Sequence, residues 1–107
     1  MPAPVKLADK AAFDAALADA GDKLVVVDFT ASWCGPCQRI APVFAKMAEE
    51  MEDVVFVKVD VDENEEVAAE CDISAMPTFQ FYKRKAMVHE FSGASEESIR
   101  KAIVANK

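Results

Sequence analysis

The chain has 107 residues, 52% of them hydrophobic and 29% charged, which is enough for one domain with its own core. Its 12 Lys and Arg residues against 19 Asp and Glu residues give a net charge of −7, which disfavours binding to nucleic acid or to an anionic membrane surface. Three cysteines exclude a fully paired disulfide framework, and no apolar run approaches the roughly 18 residues that span a bilayer.

The first half of the chain alternates between strand and helix patterns. In chain order, the predicted elements are a short strand at Val5–Leu7, a helix capped by Asp9 and running to Ala20, a buried strand at Leu24–Phe29 and a helix over Cys34–Met51. Gly21 marks the end of the first helix. Pro42 lies inside the second helix, where it predicts a kink because it removes a backbone hydrogen bond.

The second half predicts a further strand and helix, then a hairpin and a last helix. These elements are a strand at Val54–Val59, a short helix capped by Asn64, strands at Thr78–Tyr82 and Met87–Phe91, and a helix capped by Ser95. The order β-α-β-α-β-α-β-β-α predicts an α/β fold, in which a central five-stranded mixed sheet is flanked by four helices. Ligand chemistry in such sheets lies beyond the carboxyl ends of the strands.

The segment Trp33-Cys34-Gly35-Pro36-Cys37 lies at such a strand end, directly before a helix. Unpaired N–H groups and a partial positive charge at a helix N-terminus stabilise a thiolate. Cys34 is therefore the expected nucleophile, and Cys37, one turn inside the helix, is the expected resolving thiol. Pro36 suits the first helical turn, where its missing N–H is no loss.

A zinc site and a purely structural disulfide are both disfavoured for this cysteine pair. A zinc site needs four ligands, and the chain offers only Cys71 and His89 as further candidates, both far along the sequence. A purely structural disulfide across so short a loop would stabilise the fold little. We therefore expect redox chemistry and no metal.

Three segments together resemble the thioredoxin family. Val25–Cys37 is similar to the active-site strand and loop of that family, Met76–Phe79 to its cis-proline loop, and Phe91–Ala94 to its final hairpin exit. The similarity covers essentially the whole chain, 1–107, as one domain with the thioredoxin fold. It implies a protein dithiol–disulfide oxidoreductase that reduces disulfides in partner proteins, through a mixed disulfide on Cys34 that Cys37 resolves.

The resemblance also implies how the dithiol is recycled and which residues surround it. No cofactor is bound, and a thioredoxin reductase drawing on NADPH restores the Cys34–Cys37 dithiol. Trp33, Gly35, Pro36 and Pro77 support the redox loop, with Pro77 in the cis form that sequence alone makes the minority outcome. The implied substrate groove consists of Trp33, Ala75, Met76, Pro77, Gly93 and Ala94. Core packing of Trp33 is the alternative.

Charged residues interrupt two strands that are otherwise apolar. Burial of Asp28 would raise its pKa and make it a candidate proton carrier near neutral pH. The resemblance assigns the matching Asp to deprotonating Cys37 through a water molecule. Lys58 interrupts the neighbouring strand and is expected to pair with Asp28 as a second catalytic residue. The alternative is that Asp28 caps backbone groups and that Lys58 extends to solvent.

Other polar positions carry weaker expectations. Cys71 is typical of an inert small hydrophobe, although some animal thioredoxins use a matching thiol for regulation. His89 is expected on the surface. Lys85 stands where the family usually has Gly, so we expect the turn to change type or Lys85 to pack elsewhere. A solvated acidic edge is expected from Asp60, Asp62, Glu63, Glu65 and Glu66.

Two rival functions and the expected location complete the predictions. An oxidising or isomerising domain of the same fold usually carries His in place of Pro36 and needs a secretory signal. A binding module would hold partners in the reduced groove without turnover. Met1–Lys6 lacks the features of a signal peptide, so we expect a cytoplasmic protein, and we also expect a monomer. Its expected partners are disulfide-containing proteins and a thioredoxin reductase, with no nucleic acid and no membrane.

Overall fold

The computed structural model describes residues 3–107, so Met1 and Pro2, the first residues of the segment compared above with a signal peptide, lie outside the described residues. The elements follow the predicted order. They are β1 (Val5–Lys6), α1 (Lys10–Asp19), β2 (Leu24–Thr30), α2 (Gly35–Glu50), β3 (Val54–Asp60), α3 (Glu65–Glu70), β4 (Thr78–Lys83), β5 (Ala86–Ser92) and α4 (Glu96–Asn106). Pro42 lies inside α2.

The five strands form one mixed sheet, as predicted, and their order across it is β1-β3-β2-β4-β5. β1, β3 and β2 run parallel, and β4 and β5 add as antiparallel strands. β2 is the central strand, because it pairs over its length with β3 on one side and β4 on the other. Its nearly continuous apolar sequence is what burial on both faces requires.

Alternation along β2 divides the interior into two cores. One core lies between the sheet and helices α2 and α4; its buried residues are Leu24, Val26, Ile40, Phe44, Met47, Ala48, Val54, Phe56, Phe79, Phe81, Ile99, Ala102 and Ile103. The other lies between the sheet and helices α1 and α3; its buried residues are Leu7, Phe13, Leu17, Val25, Val27, Phe29, Val57, Val59 and Val67. Phe44 packs in the first core with its ring centroid 5.2 Å from that of Phe56 and 5.7 Å from that of Phe79.

Side-chain caps fix where three helices begin. Asp9 Oδ1 accepts the Ala12 backbone N–H at 2.8 Å, and Ser95 Oγ accepts the Ser98 backbone N–H at 3.1 Å. Asn64 Oδ1 accepts from the Val67 backbone at 3.4 Å, while its Nδ2 donates to the Leu7 carbonyl at 3.1 Å. The predicted caps are confirmed, and Asn64 also ties α3 to the chain just after β1.

The hairpin turn between β4 and β5 corrects one expectation. Its two central residues, Arg84 and Lys85, have φ of 51° and 70°. Positive φ at both centres is the pattern of a type I′ turn, whose twist matches the two strands it joins. Lys85 therefore keeps the left-handed conformation that favours Gly, and the predicted change of turn type is wrong.

Candidate active site

The cysteine pair lies at the N-terminus of α2. Cys34 is the N-cap residue, and its Sγ accepts the Cys37 backbone N–H at 3.2 Å. The two residues form a disulfide with their Cα atoms 5.3 Å apart. Cys34 is 7% exposed and Cys37 is fully buried. The pair is therefore asymmetric, with Cys34 as the thiol that a partner can approach, and the helix end favours negative charge on its sulfur.

A buried carbonyl holds the loop that leads into this helix. The Ala31 carbonyl accepts the Cys34 backbone N–H at 3.2 Å and the Gln38 side-chain amide at 2.9 Å. The Gln38 backbone N–H donates in turn to the Cys34 carbonyl at 3.1 Å. Gln38 thus holds both ends of the loop through its side chain and its backbone. The sequence did not predict this role, because it depends on where the side chain points.

The Met76–Pro77 peptide bond is cis, which confirms the expectation from the resemblance. Met76 packs against the cluster of Ala31, Cys34 and Cys37, so this loop lies beside the disulfide. Pro77 is buried, and its carbonyl accepts the Gly93 backbone N–H at 2.9 Å. The loop is braced on its other side, where the Thr78 hydroxyl donates to the Ala75 carbonyl.

The surface around the disulfide is open. Trp33 is 67% exposed, so the alternative of core packing is wrong. Its indole Nε1 donates to Asp62 Oδ2 at 2.8 Å. Ala75, Gly93 and Ala94 are exposed as well, and Gly93 has a φ of 114° that side-chain-bearing residues rarely adopt. The hydrogen bond from Gly93 to the cis-proline loop brings the last of the predicted groove residues to the same surface.

Asp28 is a buried carboxyl group beneath this surface. It is 1% exposed, and its Oδ1 has no hydrogen-bond partner among the described residues. Burial raises the pKa of Asp28 to about 7, and the positive charge of Lys58 opposes that rise. Lys58 is the neighbour of Asp28 in the parallel β2–β3 register and is half-buried. The pair is therefore coupled through charge, and the orphaned Oδ1 does not serve as a backbone cap.

A cavity of about 230 Å³ opens beside Asp28. Its lining combines buried and exposed residues from three strands, the following loops and α2: Lys6, Asp28, Thr30, Ala31, Ser32, Gln38, Ala41, Lys58, Asp60 and Glu63. Lys6 Nζ and Glu63 Oε1 form an ion pair at 3.0 Å, and both side chains are about half exposed.

The acidic segment that begins with the last residue of β3 corrects another expectation. Asp60 is not part of a solvated edge, because it is 9% exposed and its Oδ1 accepts the backbone N–H groups of Asp62 and Glu63 at 2.9 and 3.2 Å. Asp62 is exposed but holds the Trp33 indole. Asp62 and the Glu side chains at 63, 65 and 66 match the predicted solvated edge in their exposure, and Asp60 alone of the five does not.

Cys71 lies apart from the redox pair, at the C-terminal end of α3 against the second core. Its thiol is free and lies 3.8 Å from the Tyr82 hydroxyl. That hydroxyl donates to Gln80 Oε1 at 2.6 Å, which leaves the thiol as donor to Tyr82. Burial raises the pKa of the Cys71 thiol, which lowers its thiolate fraction and hence its reactivity. His89 is exposed, as predicted.

The structure also bears on metal and membrane chemistry. Among residues 3–107, no group of three or more His, Cys, Asp or Glu side chains is arranged to hold a metal ion. Within the same part of the chain, none of the helices combines the length and the apolar character that crossing a membrane requires.

Comparison with known proteins agrees with this geometry. A model of the thioredoxin family matches residues 4–105. A thioredoxin of Geodia cydonium is 62% identical over 94% of this chain and 96% of its own length, and one of Mus musculus is 55% identical over 92% and 95%. The solved thioredoxin of Fasciola hepatica superposes with a TM-score of 0.95 at 46% identity, covering 96% of this chain and 99% of that one.

The match takes in the site as well as the scaffold, since the matched residues 4–105 include the Cys34–Cys37 disulfide and its Cys-x-x-Cys motif. Similarity at this level covers the cysteine loop, the sheet and the flanking helices together. The chain belongs to the thioredoxin family and is a dithiol–disulfide oxidoreductase that reduces protein disulfides through its own redox-active cysteine pair.

Proposed function

We propose that Cys34 attacks the disulfide of a partner protein and that Cys37 resolves the mixed disulfide. The observation that carries this assignment is the unequal exposure of the pair at the helix N-terminus, with Cys37 fully buried one turn behind Cys34. The Cys34 thiolate bonds to one partner sulfur as the partner S–S bond breaks, and the released partner thiolate takes up a proton. Cys37 then bonds to Cys34 Sγ and frees the second partner thiolate, so two electrons pass to the partner.

The second step needs a proton acceptor for Cys37, and we assign that role to Asp28. Its carboxyl is buried, lacks a hydrogen-bond partner at Oδ1 among the described residues and has a pKa raised to about 7, so it changes protonation state in the neutral range. Lys58 tunes that pKa through its charge. A water molecule between Asp28 and Cys37 would carry the proton, as the family resemblance implies.

The groove beside the disulfide is the proposed binding site for an extended segment of the partner. Trp33 offers an exposed aromatic face fixed by Asp62, and Met76 packs against both cysteines, where the family resemblance implies that its backbone binds the partner. Gly35 and Pro36 shape the first turn of α2, while Pro77 supports the floor. Ala75, Gly93 and Ala94 complete the walls with small residues that leave room for the partner chain.

The oxidised pair must be reduced again after each turnover, and we propose a thioredoxin reductase drawing on NADPH as the donor. Family membership supports this, and one structural relative, a thioredoxin f2, was solved in complex with ferredoxin: thioredoxin reductase. We further propose that the protein is a monomer with one domain over 1–107, that it acts in the cytoplasm, and that it binds neither nucleic acid nor membrane. Its net charge of −7 supports the last point.

Three variants and one equilibrium measurement test these assignments. Cys37→Ser should accumulate a mixed disulfide with a protein substrate, Cys34→Ser should form none, and Asp28→Asn should slow reduction near pH 7. A Cys34→Ser variant that retains its partners would identify binding as a separate activity. The reduction potential should lie near the reference value for thioredoxin, about −270 mV. A value above about −180 mV would make the protein an oxidant or isomerase instead.

A further inference from the structure

The cavity beside Asp28 is separate from the groove that receives the partner disulfide. None of its ten lining residues belongs to the groove, and neither sulfur atom of the disulfide contributes to it. Met76 of the groove packs against Cys34 and Cys37, whereas the cavity lies between the carboxyl ends of β2 and β3 and the first turns of α2. A partner bound over the disulfide would therefore leave the cavity uncovered.

The cavity leads from a buried carboxyl to an exposed, charged rim. Asp28, Ala31 and Asp60 are the buried residues of its lining, and Asp28 carries the Oδ1 that has no hydrogen-bond partner among the described residues. The charged groups that line the cavity together with Asp28 are Lys58 and Asp60 of β3, Lys6 of β1 and Glu63 after β3; Gln38 lines it from α2. A volume of about 230 Å³ with so many polar partners accommodates several water molecules.

We propose that this cavity is the path by which Asp28 exchanges its proton with solvent while a partner protein covers the redox groove. The inference rests on the proposed role of Asp28. In the resolving step the Cys37 thiol gives its proton to the Asp28 carboxylate, and the Cys37 thiolate bonds to Cys34 Sγ as the mixed disulfide breaks. Asp28 then returns the proton through cavity water to the solvent at the Lys6–Glu63 rim, and the released partner thiolate takes a proton from solvent.

Two substrates of different size separate this path from a general effect on the site. Insulin serves as a protein disulfide that covers the groove, and hydroxyethyl disulfide as one too small to cover it. Ala41→Leu fills the cavity from α2, and Thr30→Ile fills it from β2. Ala45→Leu, one turn further along the same helix and outside the cavity lining, is the matched control. Single-turnover reduction is followed by Trp33 fluorescence at pH 7.

Both cavity-filling variants should slow insulin reduction by about tenfold, within the roughly 10²–10⁴-fold that proton transfer contributes to catalysis. Reduction of hydroxyethyl disulfide should stay close to the unsubstituted rate, which also shows that the variants are folded. Equal changes for both substrates, or no change for either, would overturn the proposed path. Asp28→Asn distinguishes the two proposals. If Asp28→Asn slows the reduction of both substrates while the cavity-filling variants react like the control, the proposed proton path is wrong and the proposed role of Asp28 stands. If Asp28→Asn changes neither rate of reduction, the proposed role of Asp28 as proton acceptor is wrong.

Discussion

Replacing Asp28 with Asn should stabilise the protein at neutral and alkaline pH but not in acid. The buried carboxyl has a pKa raised from 3.8 to about 7 because burial disfavours its charged form. Between these two pH values the folded state holds a proton that the unfolded state has lost, so the free energy of unfolding falls as the pH rises. At about 1.36 kcal/mol per pKa unit, the full loss above pH 7 is about 4 kcal/mol. Asn has a similar shape and no charge, so the variant avoids that loss.

Guanidinium unfolding of the disulfide form, followed by far-UV circular dichroism at pH 4, 6 and 8, measures this difference. The stability gained by Asp28→Asn should be close to zero at pH 4, rise by at most about 1.4 kcal/mol per pH unit, and level off near 4 kcal/mol at pH 8. Asp19→Asn, at an exposed position of α1, is the matched control for the substitution itself. A gain that does not vary with pH would show that the carboxyl is ionised in the folded protein throughout this range and that burial does not raise its pKa.

Substitutions at three further positions test other contacts. Asp62→Ala removes the acceptor of the Trp33 indole N–H and should raise KM for insulin a few-fold, while Asp62→Asn, which keeps an acceptor oxygen, should restore it. Lys85→Gly should raise the free energy of unfolding by about 1 kcal/mol because φ is 70° there; a loss in chemical denaturation would contradict the turn geometry. Phe44→Ala should lower it by about 3–5 kcal/mol, since the ring is fully buried; a thermal midpoint unchanged from the parent would contradict its place in the core.

The elements were predictable because their signals are local. Asp9, Asn64 and Ser95 each cap the helix that follows them, and a capping side chain acts within three residues of its own position. The buried strands were readable as apolar runs for the same reason. The cysteine pair was predictable as well, since its spacing alone puts Cys37 one helical turn behind Cys34. The mixed character of the sheet followed from the alternation of strands with helices and from the tight connection between the last two strands.

The contacts that complete the site join residues distant in sequence, and single-residue patterns do not contain them. Asp62 accepts a hydrogen bond from the indole of Trp33, which lies 29 residues earlier in the sequence, and only the β2–β3 pairing brings the two residues together. Asp60 looked like one of five solvent-facing acids, yet the turn after β3 folds its own N–H groups around the carboxylate. At Lys85, the twist of the hairpin imposes a positive φ although a lysine prefers a negative one, because a two-residue turn must match both strands.

The placement of Asp28 shows why the sheet tolerates a destabilising charge. Along β2, Leu24, Val26 and Asp28 share one face, and the first two lie fully inside the core under α2 and α4. At Asp28 that face reaches the carboxyl end of the strand, where Lys58 and the polar cavity replace apolar neighbours. A carboxyl two residues earlier would have no such surroundings, and the apolar core would disfavour its charged form more strongly. A position at the boundary between dry core and cavity therefore has a pKa near 7, which is the range that the proposed transfer of a proton to and from Asp28 requires.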